Sequence, residues 1–285
     1  MSDFESETVL PTRVSKERRA ASRSRPVDLD SFAGDPNFML SLARGLKVMQ
    51  ALAEQRRGLT VSEAAQATGL PRATVRRCFY TLEKLSFLTM NGSEFALGAP
   101  VLALGQAYLS TIGPGGAIQA IMDKLRDTLD ETCALAKLHG QDLVYLAVAP
   151  GRHQQSISGQ PGSHVPAFCT SLGRVLLAHL PPASLEAILT SMQPVKFTPY
   201  TITEPDRIRT SILHARAAGY SINDQELDLG VRAISVPVRD RSGKVVAALN
   251  AGGDPARLKN GLLLSKFLPE MNMAAQEIGQ LIDQL

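Results

Sequence analysis

Apolar residues recur at three- and four-residue steps from Phe38 onward: Phe38, Leu42, Leu46, Met49 and Leu52–Ala53. That spacing predicts a helix whose apolar stripe faces a core. Gly58 ends it, and Thr60-Val-Ser-Glu63 is a capping box that opens a short second helix. Gly69 stops this helix, and Pro71 favours the first turn of a third that runs to about Leu85. The third helix should bury Val75, Cys78 or Phe79, Leu82 and Leu85, and present Arg72, Thr74, Arg76, Arg77 and Lys84. Two β-prone runs within Phe87–Leu97 then flank Asn91-Gly92, a hairpin signal. Helix, helix, turn, helix, hairpin is the pattern of a winged helix-turn-helix, placed at residues 37–97.

Residues 99–111 (APVLALGQAYLST) are apolar at helical spacing, and Gly113-Pro-Gly-Gly116 closes them. They predict a linker helix within 98–114, with a domain boundary near residue 114. The remainder, 115–285, alternates helices and strands. Helices are expected near 117–131, from Thr170-Ser171 to about Leu180, at 182–191, 205–218 and 260–284. Strands are expected near 133–139, 142–149, 154–159, 219–223, 231–239 and 245–251. Strands that pair mostly as hairpins, with helices packed on them, give an α+β domain with an antiparallel sheet.

Composition adds further limits. The 285 residues suit two domains, and no apolar run reaches the ~18 residues of a membrane span. Met1–Glu7 is acidic and no apolar h-region follows, so the expected compartment is the cytoplasm. Cys78, Cys133 and Cys169 form no CxxC pair and no Cys/His cluster, which predicts reduced thiols and neither disulfide framework nor metal site; no cofactor is expected. The net charge of +3 is unevenly divided: residues 1–97 hold 14 Lys+Arg against 11 Asp+Glu, and the rest hold 16 of each. Residues 1–36 include the basic stretch Arg13–Arg25, which has too little apolar content to fold and reads as a disordered tail, either solvating or touching DNA phosphates.

The third helix carries the chemistry of a DNA reader. Its N-terminal end holds Arg72, Ala73, Thr74, Arg76 and Arg77 after the Thr68-Gly-Leu-Pro71 turn. Arginine forks onto guanine O6 and N7, and the methyl groups of Ala or Thr meet thymine. Arg77 or Lys84 could equally bind phosphates. Thr60-Val-Ser-Glu-Ala-Ala65 and Gly69-Leu-Pro-Arg-Ala-Thr-Val75 resemble the helix-turn-helix of the IclR (isocitrate lyase regulator) family in type and spacing. The stretch Asp35–Leu46 (DPNFMLSLARGL) is similar to that of the subgroup regulating protocatechuate, 4-hydroxybenzoate and β-ketoadipate catabolism. The resemblance runs from about residue 35 to the C-terminus. It implies DNA contacts at Arg44, Thr60, Arg72, Ala73, Thr74, Arg76, Arg77 and Lys84. Many members carry a different polar residue where Arg76 stands, so the operator does not follow.

His164–Ala178 and Gly219–Ser235, continuing to Leu249-Asn-Ala-Gly-Gly253, are similar to the family's effector domain. The resemblance implies a GAF-like domain with a ligand cavity against a helix N-terminus. Physical reasoning agrees independently. Thr170 or Ser171 can cap the helix, leaving the N–H groups of Ser171, Leu172 and Gly173 and the positive end of the helix dipole to meet a carboxylate. Asn223 and Asn250 can orient carbonyls or hydroxyls. No buried cation is expected, unless Arg174 or Arg232 turns inward. Carried over by resemblance, effector contacts fall on Thr170, Ser171, Leu172, Asn223, Ala233, Asn250 and Gly252. Members that bind very small acids have an acidic residue at position 223, cysteine at 233 and serines at 250 and 252. Ala233 and Gly252 leave more room, which fits an aromatic acid or a six-carbon diacid.

The expected partners are therefore a double-stranded DNA operator and a small organic acid. A homodimer that can pair into a tetramer is also expected, with RNA polymerase if the protein activates. No membrane partner is expected. Two other readings stay open. One is a regulator of the same family answering an unrelated metabolite. Another is a small-molecule-binding adaptor without a DNA role. An enzyme is not expected: Cys169 or Ser171 would be the nucleophile and His139, His153, His164, His179 or His214 the base, but no Gly-x-Ser-x-Gly, Ser-x-x-Lys, HExxH, P-loop or GxGxxG pattern is present.

Overall fold

A computed structural model describes residues 28–55, 57–111, 116–152 and 159–282. The basic stretch of the tail, the greater part of the expected 154–159 strand, and His153 lie outside these residues. The chain divides into two compact units, one ending at Leu109 and the other beginning at Ser110.

The first unit is built from α1 (Leu40–Ala53), α2 (Val61–Thr68), α3 (Arg72–Lys84) and a hairpin of β1 (Leu88–Asn91) and β2 (Glu94–Leu97). α4 (Pro100–Thr111) follows. The capping box forms in full: Thr60 Oγ1 accepts from the Glu63 N–H at 3.3 Å, and the Thr60 N–H donates to Glu63 at 2.9 Å. Gly69 at φ +69° ends α2 in the left-handed region, where a side chain is disfavoured. Val48, Leu52, Leu59, Ala64, Val75, Phe79 and Leu88 form the core, with Phe79 and Phe95 rings 4.4 Å apart.

Several expectations need correction here. α1 buries Val48, Ala51 and Leu52, whereas Leu42 and Leu46 are 57% and 51% exposed. The helix carries two apolar stripes, and spacing alone cannot say which one faces the core. Leu85 is exposed at the end of α3, and Pro71 is the N-cap rather than the first turn. The hairpin register pairs Asn91 with Glu94, so the turn is Gly92-Ser93. Residues 29–32, read as part of the tail, form a 3-10 turn capped by Asp28, and Phe32 stacks on Phe38.

The second unit contains α5 (Ala117–Leu129), β3 (Thr132–His139), β4 (Asp142–Ala149), β5 (His164–Pro166), α6 (Ser171–Ala178), α7 (Pro182–Ser191), α8 (Pro205–Ala218), β6 (Ser221–Asp224), β7 (Arg232–Arg239), β8 (Val245–Gly253), α9 (Asn260–Leu262) and α10 (Leu268–Leu281). A π-helical segment, Leu263–Phe267, joins the last two. The strands form one antiparallel sheet in the order β5-β4-β3-β8-β7-β6. The short strand β5 was not expected. It is only three residues long and one of them is Pro166, so no alternation is visible.

Strand alternation gives the sheet two unlike faces. Leu135, Ile234, Val236, Leu249 and Ala251 point into a large apolar core with α5 and α10. The opposite face is small: Ala134, Ala136 and Ala248 join the core beneath α6 and α8, and Ser235 reaches Ser171 at the start of α6. Small side chains let α6 lie close to the strands. Phe79→Ala should destabilise the first unit by about 3–5 kcal/mol. Calorimetry should then show one transition shifted down and the second unit's transition unchanged; a shift of both would contradict two separate cores.

Candidate nucleic-acid and effector sites

On α3, Arg72, Ala73, Arg76, Arg77 and Lys84 are exposed and Thr74 is half-buried. Val75 and Phe79 anchor the other face, so the arginines project from a fixed helix. Tyr80, 62% exposed, stands between Arg76 and Lys84 with the Lys84 ammonium 5.3 Å from its ring. Sequence reasoning left it out, although its spacing, four residues from each, puts it on the same exposed stripe. Thr60 sits apart, its hydroxyl engaged in the capping box. Arg57 bonds Glu63 and Glu94, and that contact together with the Thr60 bonds holds the Glu63 carboxyl down to about 2. Arg44 is half-buried on α1.

In the second unit, the structure brings all seven predicted effector residues to the junction of α6 and the sheet. Thr170 is the N-cap of α6, and its Oγ1 accepts from the Gly173 N–H at 3.0 Å. This corrects one expectation: the cap takes up Gly173, and only the Ser171 and Leu172 N–H groups lack an acceptor among the described residues. Opposite them, β6, β7 and β8 align Asn223, Ala233 and Gly252 in register, with Asn250 two pairs along, opposite Ser235. Gly173 packs against Ala167 so tightly that a Cβ would lie 2.0 Å from the Ala167 carbonyl oxygen.

The two asparagines differ. Asn223 Nδ2 donates to the Cys169 carbonyl at 2.9 Å, and its Oδ1 accepts from the Glu226 N–H at 3.3 Å, so it ties β6 to the loop before α6. Asn250 Oδ1 is buried with no hydrogen-bond partner among the described residues. A buried acceptor without a donor is costly, and an adjoining ligand hydroxyl would satisfy it.

The expectation of no buried cation is also corrected. Arg174 lies 4% exposed on α6 and grips Glu226, 7% exposed, through two bonds of 2.6 and 2.7 Å. Thr201 Oγ1 donates to the Glu226 carbonyl and the Ile202 N–H to its carboxylate. The charge is therefore present but matched. No signal links positions 174 and 226, which lie far apart in the chain. Arg232 instead pairs with Asp224 and donates to the Leu258 carbonyl.

The candidate nucleophiles show no activation. Burial pushes the Cys169 thiol well above its ordinary range, the reverse of a reactive thiolate. Ser171 Oγ accepts from Ser235 at 2.8 Å rather than meeting a histidine. His179 is held by the Val175 carbonyl and Arg239, and His164 packs edge-on against His139. No helix among the described residues is long and apolar enough to cross a membrane.

Comparison with known proteins fixes the family. Residues 41–92 match the IclR helix-turn-helix domain, and residues 106–280 match the family described as bacterial transcriptional regulator IclR C-terminal. The chain belongs to the IclR family. It is 39% identical over 251 residues to the Pca regulon regulatory protein of Pseudomonas putida, covering 88% of this chain and 86% of that one. It is 28% identical over 251 residues to the p-hydroxybenzoate hydroxylase transcriptional activator of Acinetobacter baylyi, covering 86% and 93%. A transcriptional regulator from Rhodococcus sp. RHA1 of known structure is 36% identical, with a TM-score of 0.74 over 86% of this chain and 98% of that one.

The protein is thus an IclR-family transcription regulator, with a DNA-binding helix-turn-helix and a domain of the kind that binds small-molecule effectors. IclR-family relatives regulate transcription rather than catalyse reactions, which sets the enzyme reading aside. Within the IclR effector domain, Arg174→Ala should cost about 3–5 kcal/mol, because it strands Glu226 as a buried unmatched charge. Arg174→Met combined with Glu226→Leu should recover most of that loss in chemical denaturation. A single mutant as stable as the parent would show that the pair is not buried in solution.

Proposed function

We propose that this regulator answers a small carboxylic acid of aromatic catabolism, in the class of protocatechuate, 4-hydroxybenzoate or β-ketoadipate. The observation that carries this reading is the pairing at one junction of two free N–H groups at the start of α6 with the unpartnered Oδ1 of Asn250. The first suits a carboxylate and the second a hydroxyl donor. The names of the Pseudomonas and Acinetobacter relatives point the same way. Thr170, Leu172, Asn223, Ala233 and Gly252 would shape the site around these groups.

On the DNA side, Arg72, Ala73, Thr74, Arg76 and Arg77 would enter the major groove, with Arg44, Thr60 and Lys84 nearer the backbone. One recognition helix reads too few base pairs for a genomic address, so at least a homodimer is required. The exposed Leu102, Leu104 and Tyr108 on α4 offer an apolar pairing surface. The acid acts by binding two states of the dimer unequally, with α4 carrying the change to the recognition helices. If the regulator activates, RNA polymerase is a further partner.

Arg76→Ala and Arg77→Ala should each weaken operator binding by about 1–3 kcal/mol where the residue forks onto a base, or lower the salt slope where it binds phosphate. Unchanged gel-shift affinity and salt slope in both would remove α3 from the interface. Ser171→Pro deletes one of the two free N–H groups at a first-turn position that tolerates proline, and Thr170 before it is already extended at φ −129° and ψ 149°. Calorimetry should show weaker binding of the three acids, with operator affinity of the unliganded protein retained. If the unmodified protein takes up none of them at millimolar concentration, the assignment to aromatic catabolism fails.

A further inference from the structure

A second concave site lies away from the α6–sheet junction, between α8 and the outer strand β6. It is a cleft of about 440 Å³, within the range of small-molecule pockets. Arg207 and His214 from α8, Tyr220 and Ile222 from the β6 side, and the buried Arg174 of α6 line it. No lining residue is acidic. Its polar groups are under-used. Among the described residues, Arg207 has only a 3.5 Å contact with Glu204, the His214 ring and Tyr220 hydroxyl have no hydrogen-bond partner, and Arg174 Nε is buried without an acceptor.

Surface arginines and histidines are usually solvated and mean nothing singly. Here Arg207 and His214 line one hollow with Ile202 and the buried guanidinium of Arg174, while Tyr220 and Ile222 border it from β6 and pack against the α5–α10 core. Glu226 already matches the charge of Arg174, so the hollow's available cation is Arg207, in only a 3.5 Å contact with Glu204, with the His214 ring and the Arg174 Nε–H beside it and Ile202 as an apolar wall; that combination selects an anion carrying an apolar body.

We propose that this cleft is a second binding site for a small organic carboxylate, separate from the α6–sheet site. Arg207 and His214 hold the carboxylate, while Ile202 flanks its body. Arg174 joins the two sites, since it lines the cleft and stands three residues after Ser171 on α6. An occupant that shifts Arg174 changes affinity at the junction, and an acid at the junction changes affinity in the cleft by the same factor.

The test is equilibrium dialysis of the full-length protein against labelled 4-hydroxybenzoate and, separately, adipate. Arg207→Gln and His214→Gln alter the cleft; Asn250→Leu and Ser171→Pro alter the junction. Two equivalents per chain are expected, one weakened about tenfold or more by the cleft variants and the other by the junction variants. One equivalent that responds only to the junction variants would overturn the cleft and leave the effector reading standing. One that responds only to the cleft variants would uphold the cleft and overturn the junction. Binding of neither acid at millimolar concentration would overturn both.

Discussion

The effector unit depends on how closely α6 lies against its sheet. Gly173 meets the Ala167 carbonyl where no Cβ could fit, and the strands beneath offer Ala134, Ala136, Ala248 and Ser235 rather than large residues. That closeness brings Ser171 within hydrogen-bond reach of Ser235 and aims the first turn of the helix at the strand positions of Asn250 and Gly252. It also buries Arg174 and forces it to find Glu226. A buried ion pair stabilises little in total, but losing either partner is expensive, so the pair fixes the position of α6 more than it adds stability. Free N–H groups belong to any helix start; the packing constraint sets where those of α6 lie, beside the strand position of Asn250, and buries the guanidinium next to them.

The DNA-binding unit solves a different problem with a much smaller core. One cluster of seven buried apolar residues, with Ala51 beside it on α1, holds three helices and a hairpin, so the turns must carry more of the specification. The Thr60–Glu63 box, braced by Arg57, and the left-handed Gly69 set the path from α2 into α3. Val75 and Phe79 then set the rotation of α3, which decides that arginines rather than valines face outward. Shape comes from local backbone chemistry and orientation from two anchors, leaving the exposed face of α3 open to change in sequence.

Local rules carry some features from sequence to structure and stop short of others. The capping box, the Gly69 stop, the paired strands at 133–139 and 142–149 and the helix at Pro205–Ala218 lie where short-range spacing puts them. The seven effector positions were placed by resemblance, and their convergence follows from strand register. What was not legible depends on pairs distant in the chain. Arg174 and Glu226 meet through tertiary folding, as do Ser171 and Ser235. Leu42 and Leu46 were misread because an apolar stripe says that something covers it, not what. Tyr80, by contrast, was legible, since it stands four residues from both Arg76 and Lys84 on the exposed stripe. The cleft at β6 combines residues from α6, α8 and an outer strand, and no sequence pattern unites them.

The central claim is that the first turn of α6 receives the acid's carboxylate on its free backbone amides. Amide hydrogen exchange, resolved to single residues with and without 4-hydroxybenzoate, reads those groups directly. Exchange at Ser171 and Leu172 should slow on binding, with a smaller change at Gly173, whose N–H is already bonded to Thr170. Binding that leaves Ser171 and Leu172 exchanging at their unliganded rates would contradict it.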